Sequence, residues 1–228
     1  EINSSNFNVW QNVISIELDL QEYKSAIQHS DKALEYFPNQ GVLYYFAGTA
    51  QMLVKDYKEA IELFKMGRTY TSSNKQLSSV MNGQLGDAYN SIGDHKNSDL
   101  AYDEALKLNP ENDHVLNNYS YFLSLRKERL DIAESMSSKL ITIREGSPTY
   151  LDTHGWVLYI RKKYKEARVF LEKAAKIENN ATIIEHYGDV LFQLGEVSEA
   201  IIQWEKARDL TDDKENLNKK IADKQLYE

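Results

Sequence analysis

The feature that most constrains the fold is an internal repeat of small residues along the 228-residue chain. Six positions mark it, at intervals of 34, 38, 35, 34 and 33 residues: Ala26, Ala60, Ser98, Ala133, Ala167 and Ala200. Twelve residues before four of these positions stands a glycine: Gly48, Gly86, Gly155 and Gly188. Small side chains at fixed spacing let two helix backbones approach closely, and this period accommodates one helix pair per repeat. The sequence therefore predicts six repeats, each consisting of two antiparallel helices.

Apolar periodicity and proline placement also favour helices throughout the chain. Apolar and small residues recur at three- and four-residue spacing, as in Ala167, Phe170, Leu171 and Ala174. No alternation with a period of two persists, so strands are not expected. The three prolines each follow a helical pattern, as residues that break helix interiors should: Pro38, Pro110 and Pro148. These features predict an all-α fold.

Three segments carry the repeat most fully: 83–110, 150–177 and 183–210, the last reading IIEHYGDVLFQLGEVSEAIIQWEKARDL. In these residues the chain resembles the tetratricopeptide repeat family, and the resemblance covers residues 7 to 214. It implies a right-handed superhelical solenoid of antiparallel helix pairs with about six repeats. The expected repeats are 7-40, 41-74, 75-112, 113-147, 148-180 and 181-214.

The two ends of the repeat array differ. Residues 215-228 are expected to form a capping helix, with Leu217 and Ile221 on one face and charged residues on the others. Nothing comparable precedes residue 7. We expect either that the natural array continues upstream or that another chain covers its first repeat. The second case would allow a homo-oligomer through the N-terminal edge. Because residue 1 is not methionine, the chain reads as an internal or processed fragment.

Composition narrows the classes of partner. The chain carries 27 basic and 35 acidic residues, a net charge of −8, which argues against nucleic acid as a partner. No apolar run is long enough for a transmembrane segment. The absence of cysteine excludes disulfides and thiolate metal sites but leaves the compartment open. The last three repeats look similar to repeat proteins of bacterial cells, some of them exported. A location in the bacterial cell envelope is therefore expected, with the cytoplasm as the alternative.

On the first helix of each repeat, one stripe of residues packs within the helix pair, and a second stripe beside it provides the candidate binding residues. In the resembled family this stripe lines the concave face that receives peptides. The predicted peptide-binding residues are Tyr45, Thr49, Asp87, Asn90, Asn117, Asn118, Tyr121, Asp152, Trp156, Tyr159, Glu185, Asp189 and Phe192. The stripe contains no lysine or arginine, which argues against the carboxylate clamp of some members of that family. It predicts an acidic, aromatic groove for an extended neutral or basic protein segment.

Two other interpretations of this stripe stay open. Aromatic residues at helical spacing often pack one helix against the next, and surplus carboxylates often only keep a long scaffold soluble. A structural assembly module that uses its N-terminal edge or its convex face is the alternative function. Either way, the partner is expected to be a protein or a peptide.

Catalysis and cofactor binding find little support in the sequence. No two of the five histidines are three or four residues apart, the spacing at which one helix presents two metal ligands. The glycines are packing and capping residues rather than a phosphate-binding loop, so no cofactor and no enzymatic activity are expected. A third interpretation places a metal or catalytic site where Asp152, His154, Glu185 and His186 converge from adjacent first helices.

Overall fold

The computed structural model describes residues 6–227, and all regular secondary structure within that range is helical. Thirteen helices follow one another: α1 (Phe7–Asp19), α2 (Tyr23–Tyr36), α3 (Gly41–Leu53), α4 (Tyr57–Arg68), α5 (Lys75–Ser91), α6 (His95–Leu108), α7 (Asp113–Arg126), α8 (Leu130–Ile143), α9 (Pro148–Ile160), α10 (Tyr164–Ile177), α11 (Ala181–Gln193), α12 (Val197–Arg208) and α13 (Glu215–Asp223). The predicted all-α fold is confirmed. Within the described range, no helix is at once long enough and apolar enough to pass through a lipid bilayer.

Three-residue connections join the two helices of each pair, and this shortness makes them antiparallel neighbours. Each connection contains a left-handed residue with φ between 56° and 84°: Gln21, Lys55, Gly93, Lys127, Lys162 and Gly195. The connection between α7 and α8 contains a second one, Arg129, with φ of 45°. A backbone N–H then donates to the carbonyl five residues earlier, as from Asp94 to Tyr89 at 2.9 Å. This Schellman arrangement satisfies carbonyls that the helix end leaves free and turns the chain back.

Side-chain caps fix the start of several helices. The Asp94 carboxylate accepts from the backbone N–H of Asn97 at the start of α6, and Asp56 does the same for Glu59 in α4. The amide oxygen of Asn180 accepts from two backbone N–H groups at the start of α11. Such caps satisfy N–H groups that have no partner inside the helix, so they define where each helix begins.

The chain divides into two compact units, residues 1–115 and 116–228. In the first unit the repeated glycines face aromatic rings of the following helix, Gly48 against Phe64 and Gly86 against Tyr102. A Cβ atom at Gly86 would lie 2.5 Å from the Tyr102 ring, well inside van der Waals contact. The small residue is therefore what allows the large ring to be buried between the two helices.

The first helix pair reverses this order of small and large residues. Ile14 occupies the position equivalent to Gly48, and Ser30 occupies the position equivalent to Phe64. Both Ile14 and Ser30 are fully buried. The large side chain thus comes from the first helix and the small one from the second, which explains how a repeat without the expected glycine still packs.

Helix α5, with 17 residues, is longer than the other first helices, in agreement with the 38-residue interval between Ala60 and Ser98. Its first turns are anchored by serine hydroxyls: Ser78 donates to the carbonyl of Thr71 at 2.8 Å, and Ser79 donates to that of Ala105 at 2.9 Å. The start of α5 is therefore held against the connection before it and against α6.

The second unit repeats the glycine packing and ends in a cap. A Cβ atom at Gly188 would lie 2.6 Å from the Trp204 ring. Helix α13 buries Leu217 and, unexpectedly, Lys220. It ends at Asp223, before the predicted limit of 228, because Lys224 adopts a left-handed conformation with φ of 50°. Residue 228 lies outside the described residues.

Candidate functional site

In the first unit, the predicted binding residues are held by contacts within the protein. Tyr45 packs against the hydrophobic cluster formed by α4, α5 and α6, and the Thr49 hydroxyl donates to the Tyr45 carbonyl at 2.8 Å. Asp87 accepts from the Tyr102 hydroxyl at 2.5 Å, and its other oxygen lies 2.5 Å from Nε2 of His114. The hydrogen bond to Asp87 raises the pKa of His114. The Asp87 carboxylate is therefore bound internally rather than presented bare to a ligand.

In the second unit, three aromatic rings form a stack across α9 and α11. The ring centroids of Trp156 and Tyr159 are 4.8 Å apart with planes at 14°, and those of Trp156 and His186 are 4.0 Å apart with planes at 20°. Trp156 contacts both of the other rings and so links α9 to α11.

The carboxylate of Asp152 fixes the His186 ring. Nδ1 of His186 lies 2.9 and 3.1 Å from the two Asp152 oxygens, and both residues are buried. Burial by itself lowers the pKa of His186, but the negative charges of Asp152, Asp189 and Glu185 outweigh it, and the net pKa is raised. His186 thus carries a positive charge beside Asp152 below its raised pKa.

A lysine from the capping helix pairs with the other two carboxylates. Nζ of Lys220 lies 2.7 Å from Glu185 and 2.8 Å from Asp189, with 3% of its side chain exposed. Asp189 also accepts from the indole N–H of Trp204 at 2.8 Å. Burial raises the pKa of Asp189, and the Lys220 ammonium opposes this shift.

These pairs correct the prediction of an acidic floor in the second unit. The stripe on the first helices contains no basic residue, but Lys220 reaches it from α13 and His186 lies beside it. The carboxylates of Asp152, Glu185 and Asp189 are therefore offset by cations from other positions. The remaining character of the site is aromatic and close to neutral.

A cavity of about 390 Å³ opens beside the ring stack. Four predicted residues line it: Trp156, Tyr159, Glu185 and Asp189. The lining also includes residues that the groove prediction missed: Leu125, Lys127, Ile160, His186, Gln193, Asn216, Lys220, Leu226 and Tyr227. The cavity thus combines one aromatic wall, aliphatic side chains and polar groups, a composition suited to binding one side chain of a ligand.

Five other predicted residues of this unit lie outside the cavity lining: Asn117, Asn118, Tyr121, Asp152 and Phe192. The Asn117 amide donates to Asn118 at 3.0 Å, and the Phe192 ring lies 5.5 Å from that of Trp204. Burial and the charge of Asp152 raise the pKa of Tyr121. Asp152 acts on the cavity through His186, and Phe192 belongs to the packing of the last helix pair.

Of the four residues in the third interpretation, Asp152, Glu185 and His186 lie together, but His154 does not join them. Nδ1 of His154 lies 2.9 Å from the Ser137 hydroxyl, and its ring packs edge-on against Phe170 at 4.6 Å. His154 therefore faces the second helices, whereas His186 lines the cavity. Burial lowers the pKa of His154, as expected for a histidine enclosed by the fold. Among residues 6–227, no group of three or more acidic, histidine or cysteine side chains is arranged to hold a metal ion.

The sequence contains a signal for Lys220, the cation that the groove prediction omitted. Leu217, Lys220 and Ile221 stand at helical spacing, so a lysine lies within the apolar stripe of the capping helix. A lysine in such a stripe needs a buried partner, because an unpaired ammonium is costly to remove from water. The identity of that partner depends on how α13 packs on α11, which the local pattern does not specify.

Comparisons with known proteins agree with this architecture. A family model for the tetratricopeptide repeat matches residues 80–112. A TPR repeat-containing protein of Methanocaldococcus jannaschii is 24% identical over 194 residues, which is 79% of this chain and 32% of that protein. The structure of the APC/C hetero-tetramer Cut9–Hcn1 matches 96% of this chain and 43% of its own, with a TM-score of 0.83 at 12% identity.

Residues 80–112 match a tetratricopeptide repeat, and the fold is that of tetratricopeptide-repeat proteins. The structure of YrrB, a TPR protein with an unusual peptide-binding site, matches 77% of this chain and 88% of its own, with a TM-score of 0.58 at 21% identity. The chain spans about a third of the length of the Methanocaldococcus jannaschii relative. In this fold, α9 and α11 are the first helices of successive helix pairs, and they carry the ring stack.

Proposed function

We propose that this protein is a non-catalytic scaffold that binds an extended protein segment, and that the cavity of the second unit receives an apolar side chain of that segment. The observation that carries the proposal is a cavity whose aromatic wall lies beside carboxylates already paired within the fold. Such a site offers burial of apolar surface without requiring a charged ligand. The resemblance to structures of TPR proteins that bind peptides or assemble with other subunits supports the same class of function.

The internal ion pairs decide which segment fits. Lys220 satisfies Asp189 and Glu185, and His186 satisfies Asp152. A strongly basic segment would have to compete with cations that are already in place and partly buried. We therefore propose a neutral segment, with a basic side chain accommodated only at the outer edge, where Glu185 is 24% exposed.

Selection from a random peptide library displayed on phage tests this function without knowledge of the natural partner. The expected result is a set of enriched peptides that share an aliphatic or aromatic residue. We expect Trp156→Ala to weaken their binding about tenfold or more, the loss typical of a central aromatic contact. Calorimetry with synthetic peptides measures the difference.

The matched control is Tyr36→Ala, which removes an exposed aromatic residue from α2 in the other unit. It should leave peptide binding unchanged. Circular dichroism checks that both variants keep their helical content. Enrichment of no common peptide, or equal binding by the wild type and a folded Trp156→Ala variant, would refute the proposal.

A further inference from the structure

His186 has one ring nitrogen engaged and one without a partner. Nδ1 is held by both oxygens of Asp152, whereas Nε2 makes no hydrogen bond to any residue in the range 6–227. The ring cannot turn freely, because it is stacked on Trp156 with the centroids 4.0 Å apart. His186 lines the cavity, so its unpaired nitrogen is the polar atom that it can offer to a ligand there.

The stack contains a second N–H group without an acceptor. The indole Nε1 of Trp156 is buried and has no hydrogen-bond partner among the described residues. Buried N–H groups in proteins nearly always have an acceptor, so this unpaired group favours an oxygen acceptor from a water molecule or a ligand. Both unpaired groups of the stack thus call for the same chemistry, an oxygen that accepts a hydrogen bond.

The charges around His186 favour an uncharged acceptor. Asp152 on α9 and Glu185 and Asp189 on α11 are negative, while Lys220 on α13 and the protonated His186 are positive. Lys127 also lines the cavity, and Tyr121 lies near Asp152 on the α7 side. Three negative groups thus face three positive ones, so the site provides no surplus positive charge for a carboxylate.

We propose that Nε2 of His186 donates a hydrogen bond to an uncharged carbonyl oxygen of the bound segment, next to the apolar side chain that fills the cavity. This inference rests on the proposed function and adds the chemical group that the site recognises. Leu125, Ile160 and Leu226 contribute the aliphatic part of the lining. An apolar residue followed by its own backbone carbonyl presents both features within a few ångströms.

Binding through this hydrogen bond depends on the protonation of His186. In the imidazolium form Nδ1–H is held by Asp152 and Nε2–H is free to donate. Deprotonation leaves the proton on Nδ1, where Asp152 holds it, and turns Nε2 into an acceptor. A carbonyl ligand then faces a lone pair instead of a donor, and its binding weakens.

NMR titration with N-acetyl-leucinamide tests the inference directly. With histidine side chains labelled with nitrogen-15, the probe should shift the His186 resonances at about pH 5.5 and leave those of His95, in the first unit, unchanged. Binding should be about tenfold weaker once His186 has lost its proton, as expected for the loss of a charge-assisted hydrogen bond. Equal binding in both states, or no shift of His186 up to the solubility limit of the probe, would overturn the inference.

Two variants separate the donor role from a structural one. His186→Gln keeps a donor near the position of Nε2 and removes the titration, so its probe binding should no longer change with pH. Asp152→Asn should move the midpoint of the pH dependence in probe binding to lower pH, because the charge that favours the imidazolium is gone. Unchanged pH dependence in both folded variants would overturn the inference.

The acetylated amino acid N-acetyl-leucine, which bears a carboxylate, distinguishes the ligand class. Tighter binding of this probe than of N-acetyl-leucinamide would show that the site selects acidic groups and would overturn the uncharged carbonyl. Failure here is separable from failure of the proposed function. If the binding of library peptides is weakened by Trp156→Ala but does not shift the His186 resonances, the scaffold function stands and only this inference is refuted.

Discussion

The ammonium group of Lys220 on α13 lies 2.8 Å from the carboxylate of Asp189 on α11, and only 3% and 8% of the two side chains are exposed. This pair ties the capping helix to the last repeat and simultaneously neutralises one side of the cavity. A single lysine outside the repeat pattern thus changes the chemistry that the repeats alone would present.

Replacement of Lys220 by methionine should destabilise the second unit by about 3 kcal/mol, because the buried Asp189 and the half-buried Glu185 would lose their cation. The matched control is Lys219→Met, one residue earlier, where the side chain is 55% exposed and pairs with Glu215. That control should change the free energy of unfolding by less than about 0.5 kcal/mol. Urea denaturation measures both, and equal stability of the two variants would contradict the role given to Lys220.

The glycine-to-ring packing predicts a steric penalty at Gly86. Gly86→Ala should cost about 2 kcal/mol, because the added methyl group meets the Tyr102 ring at 2.5 Å. When Tyr102→Ala has already removed the ring, the same glycine substitution should cost much less. A double-mutant cycle by chemical denaturation measures this coupling, and additive losses would show that the contact does not limit the packing.

The helix connections predict opposite effects for two reciprocal substitutions. Lys55 and Gly93 occupy equivalent left-handed positions, with φ of 66° and 76°. Lys55→Gly should stabilise the protein by up to about 1 kcal/mol, whereas Gly93→Lys should destabilise it by about 1 kcal/mol. No atom lies within 4 Å of a Cβ built at Gly93, so the backbone conformation alone is tested there. Thermal unfolding of the two variants gives the signs, and changes in the same direction would disagree with this explanation.

The histidine environments predict how stability changes with pH. The pKa of His186 is raised in the folded state, so its contribution is fully present below the unfolded pKa of about 6.5 and is lost as the pH rises through the folded pKa. The pKa of His154 is lowered, so it opposes folding as the pH falls below about 6.5. His186→Gln should flatten the loss of stability at higher pH, and His154→Gln should flatten the loss at lower pH.

Urea midpoints measured across the pH range separate these two effects. The pKa of His114 is also raised, so its contribution to stability should still fall as the pH rises in both variants. This remaining pH dependence provides an internal comparison. A His186→Gln variant with the pH profile of the wild type would rule out the Asp152–His186 pair as a source of pH-dependent stability.

The fold was largely predictable because its determinants are local and repeated. The small residues at fixed spacing, such as Gly86 and Gly188, predict where two helices approach, and the structure places Tyr102 and Trp204 against them. The first pair was harder to predict, because Ile14 departs from the pattern and is compensated by Ser30 sixteen residues later. The pattern of small residues along one helix does not reveal such an exchange of a large and a small side chain between two helices.

The site was predicted only in part, for a reason that lies in its long-range contacts. Trp156, Tyr159, Glu185 and Asp189 follow from the stripe on the first helices and line the cavity. Lys220 neutralises two of these residues from 31 or more positions away, through the packing of a helix outside the repeats. The charge of a groove therefore cannot be obtained by summing one stripe when a terminal helix can insert a buried cation.

The most direct test of the account is to map where a library-selected peptide contacts the protein by backbone amide NMR. The account predicts shifts concentrated on α9, α11 and α13 around the cavity, with weak or absent shifts on α10 and α12, and loss of these shifts in Trp156→Ala. Shifts confined to α10 and α12, or a pattern unchanged by Trp156→Ala, would contradict the claim that this cavity binds the partner segment.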